Sequence, residues 1–332
     1  MIGVAIAGAG NFAAMHVRAL AAVPGLRLVA VASGSPAASS AFAATHGGRP
    51  CDDWRRLLDD PEVDVVLVTA PHHLHAPISI AAAQAGKHVL VEKPMAPNHA
   101  DCVAMTRAAE AAGVRLLVAH VMRFARPCLA AHALLASGTL GRPLFGRSAT
   151  IKRWMDANRR PWHLTPEAGG GMLLTAGIHA LDRLVWLMGS PVASVAAVSG
   201  HLFHEQRVPD IDLLLLRFDS GAAGTLVSVG ARDGTMINDT EFVCEGGILR
   251  LDLETGVSLG RDGRWTPLPG SCEPEWTLRG LEREWQAMRA AIRDGVTPPV
   301  GGAEAGALIA CIDAARTAAA EQREVAVAPW PT

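Results

Sequence analysis

The first third of the chain alternates short apolar runs with longer segments in which apolar residues recur at helical spacing. That alternation predicts parallel strands joined by crossover helices. The strand candidates are residues 2–7, 26–32, 63–69, 88–92 and 115–119, with helices near 13–22, 37–46, 76–85 and 99–112 between them. Asn98 is placed to cap the fourth helix, with Asp101 at its third position favoured by the helix dipole. Gly86 and Gly113 fall where the third and fourth helices should stop.

After about Arg123 the texture changes. Longer β-like runs at 144–154, 211–218, 222–229 and 248–253 are separated by glycine turns, and few crossover helices lie between them. A largely antiparallel sheet in a second domain is the expectation. Two helical stretches, 277–294 and 303–321, close the chain. The predicted architecture is an α/β domain with a parallel sheet over 1–121, followed by an α+β domain with a large, mostly antiparallel sheet over 122–332. The last helix is expected to be free to pack back on the first domain.

Composition supports two cores. The chain has 332 residues, of which 50% are apolar and 19% charged, more than one domain usually holds. A formal net charge of -2 lacks the basic excess that nucleic acid or an anionic membrane surface would favour, so a small-molecule partner is expected. Cys51, Cys102, Cys128, Cys244, Cys272 and Cys311 are scattered without a CxxC pair, which reads as reduced thiols. Residues 1–9 lack a basic leader and run straight into a glycine turn, as a first strand does. No uninterrupted apolar stretch reaches the roughly 18 residues of a membrane span. A cytoplasmic location is expected.

Chemistry enters at Gly8-Ala9-Gly10-Asn11-Phe12-Ala13, a GxGxxA sequence lying after an apolar strand and before a helix. The first glycine permits a tight turn, the second lets backbone approach a phosphate, and the small third residue lets helix and strand pack closely. The helix N-terminus then offers free N–H groups to the anion, so the α/β domain over 1–121 is expected to be a Rossmann dinucleotide-binding domain. In NAD-specific folds an acid about 20 residues on binds the ribose 2′-hydroxyl. Here the second strand ends Ala32-Ser33-Gly34-Ser35, and no Asp or Glu precedes Asp52. A 2′-phosphate would meet no repulsion, and Ser33 and Ser35 offer it hydroxyls. NADP(H) is therefore expected in preference to NAD(H).

Two further motifs carry a family likeness. Thr69-Ala70-Pro71-His72-His73-Leu74-His75 is followed by Gly86-Lys87-His88-Val89-Leu90-Val91-Glu92-Lys93-Pro94, and Gly169-Gly170-Gly171 leads to His179-Ala180-Leu181-Asp182. With the glycine fingerprint, their order and spacing resemble the Gfo/Idh/MocA family of glucose-fructose oxidoreductases and inositol dehydrogenases. The resemblance implies a dehydrogenase or reductase moving a hydride between nicotinamide and a secondary hydroxyl or ketone of a sugar or cyclic polyol. It implies that Lys93 hydrogen-bonds the reacting hydroxyl and that His179 donates or accepts the proton. The cofactor-contacting set it suggests is Gly8, Gly10, Asn11, Phe12, Ala13, Ser33, Gly34, Ser35, Thr69, Pro71, His72, His75, Glu92, Lys93 and Arg123. It also implies a homodimer or homotetramer.

This chain departs from the family at Thr175, where many members carry aspartate four residues before the histidine. On a helix that spacing would put a carboxylate and the imidazole on one face. Threonine hydrogen-bonds but does not ionise, so Thr175 is expected in the catalytic set as a residue lining the substrate pocket. His72, His73 and His75 lack companion ligands at a convincing spacing, so no metal is expected. Residues 153–163 combine Trp, Arg and Asn, a mixture suited to sugar recognition and equally to a subunit interface. Arg159 and Trp162 join Lys93, Thr175 and His179 as expected substrate residues. Two other functions fit the same motifs: a glycosidase- or lyase-type enzyme that oxidises its substrate transiently through tightly bound NAD, and a non-catalytic dinucleotide sensor.

Overall fold

The computed structural model describes residues 1–155 and 159–331. In chain order the first elements are β1 (Ile2–Ala7), α1 (Asn11–Ala21), β2 (Leu26–Ala32), α2 (Pro36–His46), β3 (Arg49–Cys51), β4 (Val65–Val68), α3 (His75–Gln84), β5 (His88–Glu92), α4 (His99–Ala111) and β6 (Leu116–Ala119). The strands form one six-stranded sheet in the order β3-β2-β1-β4-β5-β6, and every neighbouring pair is parallel. β1, β4 and β6 are buried at every position, because helices cover both faces of a parallel sheet and leave no solvated side for alternation. The strand order reverses between β1 and β4, the place where such sheets bind ligands.

The predicted helix boundaries have the expected causes. The Asn98 carboxamide oxygen accepts the Asp101 N–H at 2.9 Å. Gly86 and Gly113 stand just past α3 and α4 with φ of 74° and 65°.

The chain divides into two compact units. The first holds residues 1–121 together with 277–306, and the second holds 122–276 together with 307–330. The expectation of a second domain over 122–332, with the last helix free to pack back, differs from this division: an earlier stretch returns to the first unit. The returning segment is mostly α7 (Trp276–Arg293), and the final helix α8 (Gly302–Glu321) lies largely in the second unit. α7 belongs to the first unit because one stripe of it, including Leu281, Trp285, Met288 and Ala291, is buried there. Trp285 meets the edge of His16 at 5.9 Å, and Arg115 donates to the Ala291 carbonyl at 3.1 Å.

The second unit contains α5 (Arg126–Ala136), β7 (Pro143–Arg153), a π-helical turn at Leu173–Gly177, α6 (Ile178–Met188), β8 (Val192–Gly200), β9 (Ile211–Phe218) and β10 (Ala223–Ala231). It continues with β11 (Asp239–Cys244), β12 (Gly247–Asp252), β13 (Gly256–Arg261), β14 (Arg264–Pro267) and β15 (Val325–Ala326). The sheet order is β14-β13-β12-β11-β7-β10-β9-β8-β15. β7 and β10 pair in parallel, and all other pairs are antiparallel. β9 alternates strictly, burying Asp212, Leu214, Leu216 and Phe218 and turning Leu213 and Leu215 outward. One-sided packing of this kind is what an antiparallel sheet permits. Among the described residues no helix is long and apolar enough to cross a membrane.

Candidate active site

The glycine turn is built as its sequence requires. Gly8 has φ of 119°, and a Cβ there would stand 2.6 Å from the backbone of Thr69 and Ala70. Gly10, at the N-cap of α1, has nothing within 4 Å of a Cβ position. The first glycine is thus demanded by the protein's own backbone, and the second leaves space for something that approaches from outside. Asn11, Phe12 and Ala13 open α1, whose first turn carries no acidic side chain. Their N–H groups supply the partial positive charge that suits a pyrophosphate.

At the end of β2, Ser33 is half-buried, and Gly34 and Ser35 are exposed. The Ser35 oxygen accepts the Ala38 N–H at 3.2 Å as the cap of α2, which leaves its O–H as a donor. Thr69, half-buried at the end of β4, donates its hydroxyl to the Gly8 carbonyl at 2.6 Å. Pro71 is half-buried and His72 buried, with the His72 ring 5.6 Å from that of His75.

Two expected cofactor residues face inward instead. His75 is 1% exposed, and its ring nitrogens lie 2.8 Å from the carbonyls of Pro94 and Ala70. Burial pulls its pKa below the ordinary histidine value against the pull of those two acceptors. The Glu92 carboxylate holds the His16 Nε2 at 2.9 Å through one oxygen and accepts the Lys93 N–H at 3.1 Å through the other. Neither side chain has a polar atom turned to a ligand, so both shape the site from behind.

Lys93 differs from its surroundings. In the run from Val91 to Pro97 it alone is not buried. It follows the carboxyl end of β5, and the Lys93–Pro94 peptide is cis.

In the second unit, the stretch from Gly171 to Leu184 is buried except at Thr175, Ala176 and His179. Those three positions make one stripe across the π turn and the start of α6. The π turn replaces the regular helix that the spacing of Thr175 and His179 had suggested; such turns are frequent at functional sites. Just before it, Gly169 lets the chain pass close to the 162–163 backbone, since a Cβ there would lie 2.3 Å from the His163 Cα. Behind the stripe, Asp182 is 1% exposed, and its Oδ1 accepts from Arg123 Nε at 2.8 Å and Nη2 at 2.6 Å. Arg123, expected among the cofactor residues, therefore anchors α6. Arg183 adds donors to Thr240 Oγ1 at 3.1 Å and Asn238 Oδ1 at 2.6 Å.

The aromatic segment is partly described; Asp156, Ala157 and Asn158 lie outside the described residues. Arg159 stacks over the buried Trp154 ring at 3.7 Å and donates to its carbonyl at 3.0 Å, an intramolecular role. Trp162 is half-buried and stacked on His163 at 3.6 Å. Sequence reasoning missed His16, Asp182 as the partner of Arg123, and Glu284. The signal was present for two of them: His16 and Glu284 are polar residues on otherwise apolar helix stripes.

A parallel sheet with a glycine turn at its switch point and an open helix N-terminus above it defines a Rossmann dinucleotide-binding domain. Residues 2–120 match the Gfo/Idh/MocA oxidoreductase family with its NAD-binding Rossmann fold, and residues 128–250 match the Gfo/Idh/MocA C-terminal domain. The chain belongs to this family. A 1-carboxy-3-chloro-3,4-dihydroxycyclohexa-1,5-diene dehydrogenase of Comamonas testosteroni is 35% identical over 57% of this chain and 46% of its own length. The chain thus spans about half of that relative. Inositol 2-dehydrogenase of Streptomyces avermitilis is 30% identical over 80% of this chain and 77% of its own. Among solved structures, levoglucosan dehydrogenase in complex with NADH and levoglucosan is 25% identical with a TM-score of 0.88, covering 98% of this chain and 99% of that one.

Proposed function

We propose that this protein is an NADP(H)-preferring dehydrogenase or reductase acting on a secondary hydroxyl or ketone of a sugar or cyclic polyol. The observation that carries the reading is Lys93, the one side chain of its buried run left accessible, beyond the carboxyl end of β5, the strand next to β4 of the switch point.

The residues present fit a dinucleotide. Gly10 leaves the approach to the α1 N-terminus open, and Ser33 and Ser35 provide hydroxyl donors without a carboxylate near them in sequence. When bound, the nicotinamide takes or supplies the hydride. The ammonium of Lys93 donates a hydrogen bond to the reacting oxygen and polarises it. His179 moves the proton, with Thr175 beside it on the accessible stripe offering a neutral hydroxyl to the substrate. Trp162 presents an aromatic face of the kind on which sugar rings pack.

Replacing Lys93 with Met is expected to abolish turnover on a panel of inositols, anhydrosugars and aldoses while NADPH still binds. Turnover that persists, or NADPH binding without turnover by the wild type across the panel, would overturn the reading.

The partner expected beyond substrate is a second copy of the chain. Val198, Leu213 and Leu215 are exposed on neighbouring β8 and β9, bordering a groove of about 840 Å³. Arg217 and Glu324 pair at its margin, a polar rim around an apolar centre that suits a self-complementary contact. Light scattering of Leu213→Glu should report a smaller particle than the wild type. All six cysteines are free thiols, consistent with a reducing, cytoplasmic setting.

A further inference from the structure

The Glu92-Lys93-Pro94 turn is gripped at both ends by buried imidazoles. At one end, His16 of α1 holds a carboxylate oxygen of Glu92 at 2.9 Å, and the other oxygen of that carboxylate receives the Lys93 backbone N–H at 3.1 Å. At the other end, His75 at the start of α3 sits 2.8 Å from the Pro94 carbonyl and 2.8 Å from the Ala70 carbonyl. His16 is fully buried, wedged edge-on between Phe12 at 5.5 Å and Trp285 at 5.9 Å.

These two histidines stand on the helices that follow the glycine turn and the 69–71 loop. The same two loops are joined directly by the hydroxyl of Thr69 on the Gly8 carbonyl. We infer that His16 and His75 are positioning residues, which tie the Lys93 turn to the two dinucleotide loops and so fix where the lysine amine stands. The inference rests on the reading of Lys93 as the residue that meets the reacting oxygen.

The physical ground is that a lysine chain has four rotatable bonds, so its amine is only as well placed as its backbone. Buried hydrogen bonds to the residues on both sides remove the freedom of the turn without adding a group to the pocket. Displacement by about 1 Å of a reacting group can lower a rate on the order of 100-fold. Glu92 is the centre of the arrangement, since its two oxygens serve the histidine and the lysine backbone at once.

The chain has three lysines, Lys87, Lys93 and Lys152, so the Lys93 amine can be followed without a substrate. Trace acetylation with acetic anhydride, read per lysine by mass spectrometry, is compared in wild type, His16→Leu, His16→Gln and His75→Leu. Both leucine variants should change the Lys93 labelling rate at least threefold relative to Lys152, while NADPH affinity stays within about threefold. His16→Gln, which keeps an N–H near the Nε2 position, should return labelling toward the wild-type value. On any polyol that the wild type turns over, the leucine variants should lose kcat by about 10- to 100-fold with little change in KM.

Lys93 labelling unchanged in a leucine variant that still binds NADPH would overturn the inference. Should one leucine variant fail to fold, the other reports on the opposite end of the turn, and Glu92→Gln tests the shared group. A Lys93→Met enzyme that keeps its activity would defeat the catalytic reading of the lysine instead. The labelling result is independent of that outcome.

Discussion

The hydroxyl of Thr69 donates to the carbonyl of Gly8 at 2.6 Å, and a Cβ on Gly8 would lie 2.6 Å from the backbone of Thr69 and Ala70. The ends of β1 and β4 are therefore in backbone contact at the switch point, and the two glycines of the turn answer to different demands. Gly8→Ala should destabilise the protein by roughly 2 kcal/mol or more, from its φ of 119° together with the clash. Gly10→Ala, in open space at φ of -95°, should leave the melting temperature within a few degrees and weaken NADPH binding at least 10-fold. Thermal melts paired with cofactor titration check both. Equal effects of the two substitutions on stability would contradict the division.

Cofactor choice rests on the end of β2. Ser33→Asp places a carboxylate where a 2′-phosphate is expected, and like charges at close range repel. NADP kcat/KM should fall about 100-fold, roughly 2.7 kcal/mol at 1.36 kcal/mol per decade, while NAD is affected far less or gains. Kinetics with both cofactors on the same substrate decide it.

The pair between Arg123 and Asp182 is buried on both sides, at 8% and 1% side-chain exposure. Asp182→Ala would leave the guanidinium without its carboxylate, a change that costs about 3–5 kcal/mol in comparable buried pairs. Denaturant unfolding should show a loss of that size. Removing the exposed pair between Arg207 and Glu167 should leave the unfolding midpoint nearly unchanged, because solvent screens it.

Glu284 is fully buried, and among the described residues neither of its carboxyl oxygens has a hydrogen-bond partner. Burial, and then the charge of Glu92, hold its pKa well above the ordinary carboxyl value. The folded state keeps the Glu284 proton to a higher pH than the unfolded chain does, so this group's contribution is complete below the ordinary carboxyl range. It is lost as pH rises toward the folded value. Glu284→Gln removes the ionisation and keeps the shape. Its melting temperature should match the wild type near pH 4 and exceed it by several degrees at pH 8–9. A constant difference across that range would contradict the assignment.

Much of the first unit was legible because its signals are local. A turn that needs positive φ at Gly8, an Asn98 cap and stopping glycines after α3 and α4 are set by neighbours a few residues away. Three strand ranges, 2–7, 26–32 and 88–92, coincide with the observed strands. α5 and β8 were not anticipated: Pro127 in the first turn of α5 and Gly138 just past its end do mark the helix, whereas β8 is hidden by mixed small residues. The inward roles of His75, Glu92, Arg123 and Arg159 were not legible either. Residue type tells that a side chain can bind a ligand, and only its surroundings tell whether another part of the chain already holds it.

The sequence by itself determined the parallel-sheet domain, its glycine turn and the absence of an acid after β2, because strand burial, turn geometry and charge follow from residues adjacent along the chain. Only the tertiary structure decided that α7 returns to the first unit, that a π turn carries Thr175 in front of His179, and that His16 reaches Glu92 across 76 positions. Hydrogen bonds between side chains so far apart depend on how helices pack on a sheet, and packing is a property of the whole core.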